Sequence, residues 1–394
     1  MLKKIFKSRN KKAIFVAKID NFFLKNKNKI LFVVKNRTYF SGNLRVTLES
    51  YLKYTDKDIF IYKDGNCSKK IKDEYSNNKR VTVLEGFSIK SLWYILTSGT
   101  IILSHNPRDA HLTQKIKTRK IINLWHGVAV KKIELLMSDN SIDKLKLLKN
   151  NSLLYDIVIA SSPEDKVTNI KAFGVSEEKV KITGLPRYEI LKSNYFLSST
   201  LEKENNKILT IKQNKQLVLY APTFRENNNS TVEYILKEEW AIINKFAEQS
   251  NILFGIRPHP FDNIELDSKL REYSNIYTFD TKNFIETNLL LKHVDLLIVD
   301  FSSIWIDYLL LNRPIIGFAK DYENYLKNER GFIYNYFQIF PDQFTNNINV
   351  LISLIERKIN TKTSINYSKI KKKFHTYELN NDFRQTILNT IESK

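Results

Sequence analysis

Short apolar runs alternate along the chain with segments whose apolar residues recur at helical spacing. In the first half, the runs at 30–34, 59–62, 81–84, 101–104, 120–124, 157–160 and 180–182 predict strands, with helical patterns such as 44–54 and 89–97 between them. The second half repeats the alternation, with strands at 217–220, 252–256, 276–279, 296–299 and 315–318 and helices at 231–249, 285–293 and 303–311. Strands alternating with helices predict an α/β protein whose parallel sheets carry helices on both faces.

A polar stretch rich in Ser, Asn, Lys and Glu, 191–214, separates the halves and reads as a domain junction. At 394 residues the chain exceeds one ordinary core, so two domains are expected. We place a basic N-terminal segment at 1–28, a first doubly wound domain at 29–195 and a second at 215–394. The charged helices after Phe344 belong to the second, one of them placed to cross back onto the first. Two such domains facing each other form a cleft at the carboxyl ends of their strands, where such sheets bind ligands.

Composition narrows this picture in a few places. Hydrophobic residues make up 42% and aromatics 12%, which excludes a disordered chain. A formal charge of +21, from 63 basic and 42 acidic residues, suits an anionic partner: nucleic acid, a phosphate polymer or an acidic membrane face. An AT-rich genome enriches Lys, Asn and Ile as well, so charge does not choose among them. The single Cys67 cannot form an internal disulfide and fits a reducing compartment. No apolar run approaches the roughly 20 residues that span a bilayer. The basic start lacks the apolar core of a signal peptide. Leu2, Ile5, Phe6 and the pair Phe22-Phe23 suit a basic helix lying in a membrane surface, with a solvated, frayed terminus as the plainer alternative.

Several segments set polar groups directly after an apolar strand. In Trp125-His126-Gly127, His126 ends a strand and Gly127 admits close backbone approach; an imidazole titrating near neutrality can take a proton from an attacking hydroxyl. In Gly184-Leu-Pro-Arg187, Pro186 fixes the turn and Arg187 presents a donor fork suited to phosphate. Tyr220-Ala-Pro-Thr-Phe-Arg225 places Thr223 and Arg225 past a strand, and Arg257-Pro-His-Pro260 ends another with Arg257 and His259. Each arginine alone reads as a surface charge, but together at neighbouring strand ends they call for a polyanion. In Asp300-Phe-Ser-Ser303, Ser302 and Ser303 open an apolar helix, where hydroxyls and free N–H groups make a diphosphate site; ordinary N-capping is the alternative. Asp307, one turn into that helix, is placed to accept from ribose hydroxyls or to lie on a solvated face. His105, in Ser-His-Asn-Pro after a strand, is the remaining histidine near the expected cleft.

A Walker glycine loop, a strict dinucleotide fingerprint and zinc-like Cys/His spacings are missing from the sequence, so no cofactor and no metal are expected. Recognisable nucleic-acid motifs are missing too, which makes a nucleic-acid-binding role the distant reading.

In this order, the segments resemble the CDP-glycerol glycerophosphotransferase family of teichoic-acid synthesis, from about residue 101 to about 332. Asn312-Arg-Pro314 and Glu329-Arg-Gly-Phe332 continue the likeness. The resemblance implies a GT-B-type fold of two Rossmann-like domains, peripheral attachment to the cytoplasmic face of the membrane, and a CDP-glycerol or CDP-ribitol donor. It implies an acceptor on a surface polymer or its lipid-linked precursor, no nucleic acid, and essential histidines at His126 and His259. The family's serine pair at the diphosphate falls on Ser302 and Ser303. The chain departs from the family with Gly127-Val-Ala-Val-Lys131, Gly184-Leu-Pro-Arg-Tyr-Glu189 and Asp300-Phe-Ser-Ser303, which bears on donor and acceptor choice. Without the long N-terminal extension of many polymerases, its size is nearer that of enzymes adding a first unit. The expected reaction is attack of an acceptor hydroxyl on the alditol-bearing phosphorus, expelling CMP. His126 is assigned as base, and His259, Arg225 and Arg257 as phosphate stabilisers; the two histidines are interchangeable in role. A GT-B sugar transferase using a nucleotide sugar is the alternative.

Overall fold

A computed structural model describes residues 8–36, 38–66, 69–195, 197–223, 236, 239–259, 270, 272–323, 325, 331–360 and 366–393. The chain divides into two compact units, Met1–Val128 with Ile133–Glu189 and Phe374–Lys394, and Ala129–Lys132 with Ile190–Lys373.

The first unit is built on seven parallel strands: β1 (Asn26–Val34), β2 (Asp58–Lys63), β3 (Val81–Glu85), β4 (Ser98–Leu103), β5 (Lys120–Asn123), β6 (Ile157–Ala160) and β7 (Val180–Ile182), in the order β3-β2-β1-β4-β5-β6-β7. The order reverses between β1 and β4, which makes that junction the switch point of a doubly wound sheet. Helices cover both faces, so the central strands are buried along their length; β4 and β6 are buried at every position. β1 begins four residues before its expected start, because Asn26–Lys29 extend the ladder with polar, largely exposed side chains that no apolar run announces.

The N-terminal segment belongs to this unit. Helix Arg9–Ile19 starts on a Ser8 cap and buries Ala13 and Val16. The turn after it is pinned by Asp20, which accepts from the Arg119 guanidinium at 2.6 and 2.8 Å and pairs with Lys25 at 3.0 Å. All three charged groups are buried, so removing Asp20 would leave two uncompensated cations at a cost of about 3–5 kcal/mol. Leu2, Ile5 and Phe6 lie outside the described residues. At the other end of the chain, helix Phe383–Glu392 buries Phe383, Ile387, Leu388 and Ile391, an i, i+4, i+5, i+8 stripe, with Tyr51 donating to Glu392 at 2.7 Å. Gly184 (φ +67°) lets the Phe383 ring close in: a Cβ there would sit 2.6 Å from it.

The second unit carries six parallel strands, β8 (Gln216–Ala221), β9 (Ile252–Ile256), β10 (Ile276–Thr278), β11 (Leu296–Val299), β12 (Ile315–Phe318) and β13 (Phe344–Thr345), ordered β10-β9-β8-β11-β12-β13. Its switch point falls between β8 and β11. Residues Ala129–Lys132 join it by antiparallel pairing, Lys132 N–H to Gly331 at 3.1 Å and Ile333 N–H to Val130 at 2.9 Å. The polar stretch read as a plain junction contains a helix, Ser199–Lys212, capped by Ser198. It needs little apolar surface: Leu201 and Ile208 are buried, and the Glu204 carboxylate accepts from the N–H groups of Ile285 and Glu286 at 3.1 and 2.9 Å.

Candidate active site

In the first unit the end of β5 forms a strained elbow. Trp125 holds φ +47°, a left-handed conformation that costs a bulky residue about 1–3 kcal/mol. Three side-chain anchors impose it. The Asn123 carboxamide accepts from Trp125 N–H at 2.9 Å, and the Asn43 amide donates to the carbonyls of Leu124 and Trp125 at 3.0 and 3.1 Å. The Trp125 ring itself is buried edge-on to Phe173. The elbow turns His126 out to solvent. Its ring stacks on His105, centroids 4.6 Å apart and 15° between planes, and its Nδ1 lies 3.5 Å from the Ser104 carbonyl. With the proton on Nδ1 toward that carbonyl, the Nε2 lone pair can act as a base. Burial, helped by His126 and Lys35, drives His105 down to about 2, so its ring stays neutral.

Arg187 follows β7 in the turn opened by Pro186. Its N–H donates to Asn43 Oδ1 at 3.2 Å, and its guanidinium donates to the His126 carbonyl. The fork lies over Gly127 (φ +154°), where a Cβ would approach Nη2 to 2.9 Å. Gly127 is therefore required by both conformation and space. Nearby Asp165 is pushed up to about 7 by burial, against the Ser161 N–H bond and the Arg187 charge.

In the second unit the switch point is closed by a side chain. Asp300, just past β11, accepts from Thr223 N–H at 2.9 Å and from its hydroxyl at 2.8 Å, and Tyr336 donates to the Asp300 carbonyl at 2.6 Å. The half-buried Ser302 and Ser303 follow; Ser302 Oγ accepts from Ile304 N–H at 3.4 Å, and Ser303 occupies the cap position without a side-chain bond. The expected helix 303–311 is a short α-helix, Ile304–Tyr308, tightened to 3-10 over Leu309–Leu311. His259 is half-buried beyond β9.

The family model for CDP-Glycerol:Poly(glycerophosphate) glycerophosphotransferase matches residues 15–393. The chain belongs to that family. It is 26% identical over 355 residues to the teichoic acid ribitol-phosphate polymerase TarL of Staphylococcus aureus, covering 88% of this chain and 59% of that one. It is 28% identical over 312 residues to the teichoic acid glycerol-phosphate primase of Bacillus subtilis, covering 77% and 76%. The chain thus spans only 51% to 65% of the length of three ribitol-phosphate polymerases it matches. A solved structure of the wall teichoic acid polymerase TagF superposes with a TM-score of 0.73 over 99% of this chain and 94% of that one, at 18% identity. That likeness shows the fold, the expected GT-B-type α/β architecture.

Within this glycerophosphotransferase fold, the structure brings His126, Gly127 and Arg187 into mutual contact in the first unit. In the second it gathers Thr223, Ser302 and Ser303 around Asp300. Arg225 lies outside the described residues. Arg257 is 6% exposed, and its guanidinium donates to the carbonyls of Phe279 and Phe284 at 2.9 and 2.6 Å and to the Thr287 hydroxyl at 3.0 Å. Main-chain carbonyls use the same donor fork that a phosphate would, so Arg257 braces the 279–287 loop. Asp307 is 2% exposed, so it does not lie on the solvated face that was the alternative. Sequence reasoning missed Asn43, Asn123 and Asp300 as anchors. The available signal was their placement beside strand ends and, for Asn43, a polar residue amid the buried positions of helix Gly42–Tyr54.

Proposed function

We propose that this chain transfers glycerol phosphate or ribitol phosphate from CDP-glycerol or CDP-ribitol to a hydroxyl of a cell-surface polymer or its lipid-linked precursor, releasing CMP. The observation that carries the reading is the His126 elbow, an exposed imidazole held in a strained turn with an arginine across Gly127, within the stretch that the family model matches. The acceptor oxygen forms a bond to the alditol-bearing phosphorus as the bond from that phosphorus to CMP breaks. His126 takes the acceptor proton. Ser302 and Ser303 hold the diphosphate, and Arg225 and His259 offset its charge, so positioning and electrostatics supply most of the acceleration. Thr223 and Arg187 keep these strand ends in shape for the donor. The test is the nucleotide released from a donor panel: CMP from CDP-glycerol or CDP-ribitol supports the reading, and turnover of nucleotide sugars alone overturns it.

The reading includes work at the cytoplasmic face of the membrane. Among the described residues no helix is long and apolar enough to cross a bilayer. Support for surface attachment comes from the first unit. There Phe22 (83% exposed), Leu24 (92%), Ile89 (73%) and Trp93 stand out with exposed Lys18, Lys27 and Lys90, apolar tips and cations of the kind that enter anionic interfaces. Phe23 turns inward, edge-on to Trp93. Co-sedimentation with phosphatidylglycerol vesicles should fall at least about tenfold in a Phe22→Ser, Leu24→Ser, Trp93→Ser variant, given the apolar area removed. Unchanged binding would exclude this surface.

A further inference from the structure

We infer that Asn43 is a positioning residue that locks the His126 elbow to the Arg187 turn. Its carboxamide is 3% exposed and fully used: both amide hydrogens go to consecutive carbonyls, Leu124 at 3.0 Å and Trp125 at 3.1 Å, and its oxygen accepts the Arg187 N–H at 3.2 Å. The orientation is forced, because a flipped amide would set oxygen against two carbonyl oxygens and nitrogen against an N–H. One side chain, far away in sequence, thereby fixes main-chain groups on both sides of the base.

The anchored carbonyls are those of the two residues before His126, and Trp125 is the residue held at positive φ. Release of that hold lets Trp125 relax toward an allowed conformation, which swings the His126 ring off His105 and away from Ser104. It also frees Arg187, whose guanidinium caps the His126 carbonyl. The substrate-facing groups stay chemically intact while their geometry loosens. Displacements of about 1 Å in such a site cost up to about 100-fold in rate.

The inference rests on the proposal that His126 is the base, and the test separates the two. Wild type, Asn43→Ala and the isosteric Asn43→Asp are compared in CDP-glycerol turnover, thermal unfolding and imidazole NMR. The expected result is a kcat loss of about 10- to 100-fold with KM changed less than about threefold, in protein that remains folded at the assay temperature. In Asn43→Asp the ionised carboxylate still accepts from Arg187 but repels the two carbonyls. The protonated carboxyl donates to one of them, so kcat of this variant relative to wild type should rise as pH falls. In the NMR arm, the His126 ring signals, displaced by the rings of His105 and Trp125, should move toward free-imidazole positions in Asn43→Ala while those of buried His111 stay. Wild-type kcat and unmoved His126 signals in Asn43→Ala would overturn the inference, as would loss of the fold in both variants. If wild type turns over no CDP-alditol, the functional reading fails while the NMR arm still decides the role of Asn43.

Discussion

Asp300 and Thr223 join the two strands that flank the switch point of the second sheet: the carboxylate takes both the main-chain N–H and the hydroxyl of Thr223. The contact is buried and lies immediately before Ser302-Ser303, so it sets the shape of the loop assigned to the diphosphate. Phe301 N–H is a further donor to the same carboxylate.

Asp300→Asn therefore puts an amide N–H2 among donors. The expected outcome is a loss of about 2–3 kcal/mol in unfolding free energy, from buried donors left without an acceptor, together with weaker CDP binding. Urea denaturation and calorimetry check both. Stability and CDP affinity at wild-type levels would show that the clamp holds nothing.

The same contact bears on metal dependence. Asp300 oxygens are engaged by Thr223 and Phe301, and Asp307 is buried, so neither offers a carboxylate to an ion riding on the donor phosphates. CDP-glycerol turnover should stay within about twofold in EDTA compared with added Mg²⁺, since helix-start N–H groups and cations can offset the charge. Complete loss in chelator, restored by Mg²⁺, would make Asp300 a ligand and remove that mechanism.

His105 gives a pH signature. Its folded pKa, driven to about 2 by burial, lies below the 6.5 of the free side chain. The unfolded chain then binds a proton that the folded one refuses, and the stability this group contributes at neutral pH is lost as pH falls below 6.5. His105→Phe keeps a ring against His126 but cannot titrate. Between pH 6.5 and 4.5 wild type should lose about 1–2 kcal/mol more than this variant, after allowance for solvent screening. Equal losses in urea titrations would place His105 in solvent.

Much of the fold is legible in the residue pattern for a physical reason. Parallel strands covered on both faces are largely apolar, so β6 and β11 read directly as short runs. The helix Ser199–Lys212 escapes because its packing rests on two buried apolar residues and on hydrogen bonds, and β13 because it is only two residues long. At the site, His126, Gly127 and Arg187 are legible because a histidine, a glycine and an arginine each follow a strand or turn. Asn43 is not, since its partners lie 81, 82 and 144 residues away. Arg257 is legible as an arginine at a strand end, but its bonds to the Phe279 and Phe284 carbonyls are not.

The most direct measurement of the central claim is the mass of the acceptor after incubation with CDP-glycerol or CDP-ribitol, for wild type and His126→Ala. Wild type should yield an acceptor heavier by one or more alditol phosphate units, with stoichiometric CMP. Folded His126→Ala should transfer at a rate at least about 100-fold lower, as expected for removal of a general base. An acceptor of unchanged mass with both donors, or wild-type transfer by His126→Ala, would contradict the claim.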